Sequence, residues 1–270
     1  MCPEPVNLES ALRDFRSQRP VLVVLLWTTL ALTLVEYLFL AGSAAHHFPQ
    51  LSQSLSPGVL AGSWSAVSPG TTAPWWGVLF PWAWWTFGML LLWVLVPWCI
   101  SRGQRFTATQ IGLGFSNTLR KLPVYLLLLA LVAPAVWWAS SRDSFVGTYP
   151  FLRPQYCQQW CWAVLLGYWA IYAVQFFCVE FFFRGWLLFS LEPRLGLAAI
   201  PVMVVPYTMI HFHKPLPEAL GAIVAGTVLG WMALRTRSIW GGVFVHVCVA
   251  LGMDALSLWR GGSFPNQFLP

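Results

Sequence analysis

Long apolar runs separated by short polar connections divide this chain into segments of membrane-spanning length. The first apolar run extends from Val21 to Gly42, the second from Trp75 to Ile100 and the third from Leu122 to Ala139. The stretch from Trp160 to Leu191 is too long for one level helix, so a tilt or a break near Gly167 is expected. Residues 196 to 212, 218 to 234 and 239 to 258 complete the series. A helix needs about 20 consecutive apolar residues to cross a bilayer core. The pattern therefore predicts an all-α, polytopic transmembrane helical bundle of seven spans, or eight if the long stretch divides. Pro134 is expected to kink the third span. Gly221, Gly226 and Gly230 mark a helix that a neighbour can approach closely.

Composition strengthens this picture. The chain of 270 residues is 58% hydrophobic and only 9% charged, whereas soluble domains carry roughly a quarter charged residues. Lipid must solvate most of its surface. The 18 Trp and 19 Phe suit a membrane protein, because Trp concentrates at membrane–water interfaces. The net charge of +6 could suggest nucleic acid in a soluble protein. Here the basic residues fall in short connections and form no patch interleaved with exposed aromatics, so no nucleic-acid partner is expected.

The basic connections also set an orientation. Arg13, Arg16, Arg19, Arg102, Arg105, Arg120, Lys121, Arg194, Arg235 and Arg237 fall on one side, against Arg142, Arg153, Lys214 and Arg260 on the other. Positive residues favour the cytoplasmic side, so the expectation is a multi-pass protein of a bacterial inner membrane with its N-terminus in the cytoplasm. Ser43, Ala44 and Ala45 follow the first run as small residues follow a signal peptide. That run is longer than a secretory apolar region and contains Glu36, so a retained helix is expected. The expected organisation is a cytoplasmic segment (1–20), N-terminal transmembrane helices (21–140), a loop (141–159), a C-terminal core (160–258) and a tail (259–270). Residues 43 to 74, rich in Ser, Gly and Pro and without Lys or Arg, read as an external loop.

Cys2, Cys99, Cys178 and Cys248 stand alone in or beside apolar runs and read as small hydrophobes. Cys157 and Cys161 are four apart, a spacing open to a disulfide or a metal pair, but no second Cys/His pair stands at zinc-site spacing. No GxxxxGK[ST] or GxGxxG sequence is present, which leaves nucleotide-driven transport without support.

The chemistry-bearing residues lie in the last third. Glu180 and Arg184 are four apart within an apolar stretch and share one helical face. Neither charge is tolerated alone in hydrocarbon; an ion pair that only joins helices is one reading of them. His211 closes a later run and His246 lies in the middle of the last span. Two imidazoles on separate spans, together with Glu180, could hold a water and a substrate carbonyl. Glu218 follows Pro217 and is either a second acid for that chemistry or a first-turn acid favoured by the helix dipole. Asp254, eight residues beyond His246, could orient that imidazole or lie at the membrane interface. Glu36, alone on the first span, receives no role.

These residues resemble the motifs of the CAAX prenyl protease and bacteriocin-processing (CPBP, or Abi) intramembrane proteases, relatives of the type II CAAX prenyl proteases. The family's Glu-Glu-x-x-x-Arg is represented by Val179-Glu180-Phe181-Phe182-Phe183-Arg184, its Phe-x-x-x-His by Tyr207 to His211, and its His-x-x-x-Asn by His246 to Ala250. The resemblance covers about residues 160 to 258. Val179 replaces the first Glu, Tyr207 the Phe and Ala250 the Asn.

The resemblance implies an intramembrane endopeptidase that hydrolyses peptides or membrane-anchored proteins within the lipid bilayer, through a Glu/His-activated water. Its implied catalytic residues are Glu180, Arg184, His211 and His246, with Glu218 and Asp254 as possible additions. No cofactor is expected; a zinc-dependent version is disfavoured because the two histidines lack HExxH pairing. Two other readings compete: a catalytically impaired scaffold or immunity protein, suggested by Val179 and Ala250, and a proton-coupled transporter using Glu180, His211 and His246 as a relay. The transporter lacks the repeated half-helix architecture such proteins use.

Overall fold

The structure, a computed structural model, describes residues 8–40, 47 and 72–269. Cys2 and most of the loop expected over 43–74 lie outside the described residues. Helix α1 (Leu8–Leu34) runs through Pro20 and into a π-helical turn, Val35–Phe39. Helix α2 (Trp75–Met89) passes through a second π-helical segment, Leu90–Leu95, into α3 (Val96–Gly103). Helix α4 covers Leu122–Ala139, the third apolar run, with Pro134 inside it. Helix α5 (Trp162–Glu180) continues through a π-helical segment, Phe181–Leu187, into α6 (Leu188–Leu195). Helices α7 (Ala199–Met209), α8 (Leu216–Thr236) and α9 (Trp240–Arg260) follow. Beyond two isolated bridges, the described residues form no β-structure.

Among the described residues, six continuous stretches are long and apolar enough to cross a membrane, the longest being Trp162–Met209 at 48 residues. At 1.5 Å per residue that stretch would measure about 72 Å as one helix, over twice a bilayer core of about 30 Å. It turns at Gly196, where φ is +53°, a conformation open to glycine at little cost. The turn separates α5–α6 from α7 and recovers the seven apolar segments expected from sequence. The break falls there and not at Gly167, which stays helical inside α5. One glycine costs a helix only about 1 kcal/mol against alanine. A Cβ at Gly167 would make an ordinary van der Waals contact with Leu79 of α2, 3.5 Å away.

The central column is α5–α6. Phe181, Phe182, Phe183, Trp186 and Leu187 have no exposure at all, because their π-helical segment is covered by α3, α7, α8 and the segment Leu90–Leu95. In lipid such packing rests on dispersion and close backbone approach, since the solvent is as apolar as the side chains. Helix α4 lies outside this column against α9. Leu126, Leu127, Leu131 and Val132 of α4 are exposed and only Tyr125 is buried, as suits a lipid-facing helix.

Candidate functional site

Glu180 ends the α-helical part of α5 and Arg184 lies in the π-helical segment that follows. Local π geometry recurs at functional sites in helices, because the extra residue re-aims neighbouring side chains. Arg184 Nη1 lies 3.1 Å from Glu180 Oε1, and both residues are fully buried. Removing either from water alone would cost several kcal/mol, so each requires the other. The Arg184 guanidinium also lies 3.8 Å from the centre of the Tyr207 ring, a cation–π contact.

His246 completes this cluster from α9. Its Nδ1–H donates to Glu180 Oε1 across 2.7 Å. Gly242, one turn earlier on α9, permits the approach: a Cβ there would overlap the Glu180 carboxylate. His246 Nε2 lies 3.2 Å from the Tyr207 hydroxyl. The Tyr207 ring in turn fits against Gly226 of α8, where a Cβ would come within 2.9 Å of it. His211 stands in the turn after α7, its Nδ1–H donating to the Tyr207 carbonyl across 2.9 Å. That bond leaves Nε2 as the nitrogen with a lone pair to offer.

Both imidazoles line one cavity of about 550 Å³. Its wall is mainly apolar and aromatic, including Trp82, Trp93, Phe151, Tyr172 and Phe176. Phe176 stacks obliquely on His246 with ring centres 4.9 Å apart. Val179 forms part of the wall, as do Arg153, His213 and Lys214. Glu180 does not reach this wall; it lies behind His246, with Oε2 buried and without a hydrogen-bond partner. Of the sequence-predicted set, Glu180, Arg184, His211 and His246 therefore stand together, with Tyr207 touching the last three.

Glu218 and Asp254 stand apart from this group. Glu218, in the first turn of α8, accepts from Lys214 Nζ at 2.6 Å and from the Tyr149 hydroxyl at 2.9 Å. Burial, then the neighbouring Tyr172 and Glu218, push the Tyr149 phenol well above its ordinary pKa, so it remains a donor to that carboxylate. Asp254 is fully buried and accepts from the backbone N–H of Phe151 at 3.3 Å. It holds the loop before α5; the carboxylate that orients His246 is Glu180. Ala250 is buried among apolar residues between α9 and α5. Cys157 and Cys161 are both buried and free. Among the described residues, no three His, Cys, Asp or Glu side chains converge as a metal site.

Two contributors escaped the sequence reading. Tyr207 entered it only as a motif substitution, yet its ring, hydroxyl and carbonyl touch Arg184, His246 and His211. Glu36 lines the cavity from the first span, and the signal was its charge in an otherwise apolar run.

Residues 159–252 match the family described as Type II CAAX prenyl endopeptidase Rce1-like. No curated protein and no solved structure matches the chain. The matched segment contains Glu180, Arg184, His211 and His246, the residues on which the motif resemblance rested. The part of this membrane protein that carries these four residues is similar to type II CAAX prenyl endopeptidases of the Rce1-like family.

Proposed function

We propose that the protein is an intramembrane endopeptidase that hydrolyses a peptide bond with a water held in the cavity. The observation that carries this reading is the placement of His211 and His246 on one cavity wall with a buried carboxylate directly behind His246. The His211 Nε2 lone pair accepts a hydrogen bond from the water and polarises it. The carboxylate at His246 Nδ1 orients the ring, and in its doubly protonated form the imidazole donates from Nε2–H to the oxygen that becomes negative as water adds to the carbonyl carbon. Arg184 and that imidazolium then share one carboxylate, leaving net positive charge under the developing oxyanion. Fixed charge of this kind in a water-poor site lowers the barrier.

The substrates are peptides or membrane-anchored proteins that reach the cavity from the bilayer, with prenylated chains the class to test first. The protein would lie in a bacterial inner membrane with its N-terminus in the cytoplasm, as the distribution of Lys and Arg supports. A second reading rests on Val179, which presents an apolar side chain to the cavity where the motif carries an acid. Under it the fold is a non-catalytic scaffold.

One assay separates the two. Purified protein is incubated with an internally quenched CAAX peptide, prenylated or not, and compared with Glu180→Gln and His211→Ala. Cleavage by the wild type that both substitutions abolish supports the protease. Equal, background cleavage by all three leaves the scaffold.

A further inference from the structure

Water addition to a carbonyl needs a group that takes the proton, and neither acid favoured for this from sequence is placed to do so. Glu180 is fully buried behind His246, and Glu218 is held by Lys214 and Tyr149 away from the cavity wall. Among the described residues that line the cavity, the one carboxylate is Glu36. It lies in the π-helical turn Val35–Phe39 at the end of α1, outside the segment matched by the family. Its side chain is 45% exposed and not sealed in the protein interior as that of Glu180 is.

Glu36 is also tethered to the turn that carries His211. His213 Nε2 lies 3.5 Å from Glu36 Oε1. The turn itself is closed by two backbone bonds, His211 N–H to the Thr208 carbonyl at 2.9 Å and Lys214 N–H to the His211 carbonyl at 3.0 Å. This contact brings a carboxylate of the first span beside a residue two positions from the imidazole that polarises the water. Val179 contributes an apolar side chain to the same wall.

We propose that Glu36 is the general base of the hydrolysis, brought to the cavity by the first span. This rests on the protease reading. As the water oxygen bonds to the carbonyl carbon, one of its protons passes to the Glu36 carboxylate while His211 Nε2 holds the other. The carbonyl electron pair moves to its oxygen and is stabilised by His246. When the tetrahedral adduct collapses, the C–N bond breaks and the proton on Glu36 passes to the leaving nitrogen. Carboxylate, imidazoles and water suffice, and the products are a carboxylic acid and an amine.

The test uses the full chain, the internally quenched prenylated CAAX peptide and the variants Glu36→Gln, Glu36→Asp and Glu36→Gln combined with Val179→Glu. Loss of a general base lowers kcat by about a hundredfold or more, so E36Q is expected to fall by that factor with KM unchanged. E36D, and V179E added to E36Q, are expected to recover part of kcat. A wild-type rate in E36Q overturns the proposal while the protease reading stands. The same holds if E36Q loses activity only through a higher KM or a lower Tm, which is the signature of a structural tether. A wild type no faster than His211→Ala removes the protease reading and this proposal together.

Discussion

His246 Nδ1 and Glu180 Oε1 are 2.7 Å apart, joining the last span to the central helix at a point where Arg184 meets the same oxygen at 3.1 Å. One carboxylate oxygen thus serves two partners, and removing it leaves the guanidinium uncompensated in the protein interior. Breaking a buried pair by deleting one partner costs about 3–5 kcal/mol. Glu180→Ala is expected to lower the Tm in detergent markedly and to abolish peptide cleavage. Glu180→Ala/Arg184→Met, which removes both charges, is expected to regain much of the Tm and none of the activity. Thermal unfolding followed alongside cleavage checks both halves. A single variant as stable as the wild type would show that the buried guanidinium does not depend on this carboxylate.

Gly242→Ala tests the same contact from the other side. An added methyl would overlap the Glu180 carboxylate, and the helical backbone of α9 gives it little room to retreat. Overpacking a well-filled interior costs about 1–3 kcal/mol. The variant is expected to lose stability by that amount and to lose cleavage, because His246 can no longer approach the carboxylate. Gly252, on the same helix with no atom near its would-be Cβ, is the control, and Gly252→Ala is expected to behave as the wild type in both measurements.

Much of the fold and part of the site could be read from sequence, and the boundary between the two has a physical origin. Runs such as Leu122 to Ala139 announce themselves because lipid selects on length and apolarity alone, and α4 has those limits. Glu180, Arg184, His211 and His246 stood out because charge and imidazole are costly in hydrocarbon, and they do meet. What failed to show was direction. Spacing puts Glu180 on a helix face but cannot say that the face meets His246 rather than the cavity, since that depends on how α9 packs at Gly242. Asp254 shares its helix with His246 and still turns to the Phe151 N–H, a contact 103 residues away in sequence. Tyr207 was inconspicuous because an aromatic in an apolar run is ordinary. Only its three contacts distinguish it.

Those contacts make Tyr207→Phe informative. The ring beneath Arg184 is retained and only the hydroxyl facing His246 Nε2 is lost. A net hydrogen bond is worth about 0.5–1.5 kcal/mol. The expected result is a fall in kcat of up to about tenfold, which corresponds to about 1.4 kcal/mol, with the Tm unchanged. Tyr207→Leu removes the ring as well and is expected to lower the Tm, because the buried guanidinium then loses its aromatic partner. Identical behaviour of the two variants would mean that the hydroxyl has no separate part in the site.

Glu218 offers the opposite expectation. Its carboxylate is satisfied by Lys214 at 2.6 Å and by Tyr149, and it stands at the start of α8, where an acid is also favoured by the helix dipole. Glu218→Gln keeps an acceptor for the Tyr149 hydroxyl but removes the charge facing Lys214. A partly exposed ion pair contributes about 0.2–1 kcal/mol, so a small drop in Tm is expected. Turnover should remain within about twofold of the wild type, since only groups that act in the transition state move kcat strongly. KM is the quantity to watch, because Lys214 belongs to the cavity wall and would be freed to meet an anionic group on the substrate. A hundredfold fall in kcat would instead place Glu218 among the reacting groups and take the proton-accepting role away from the first span.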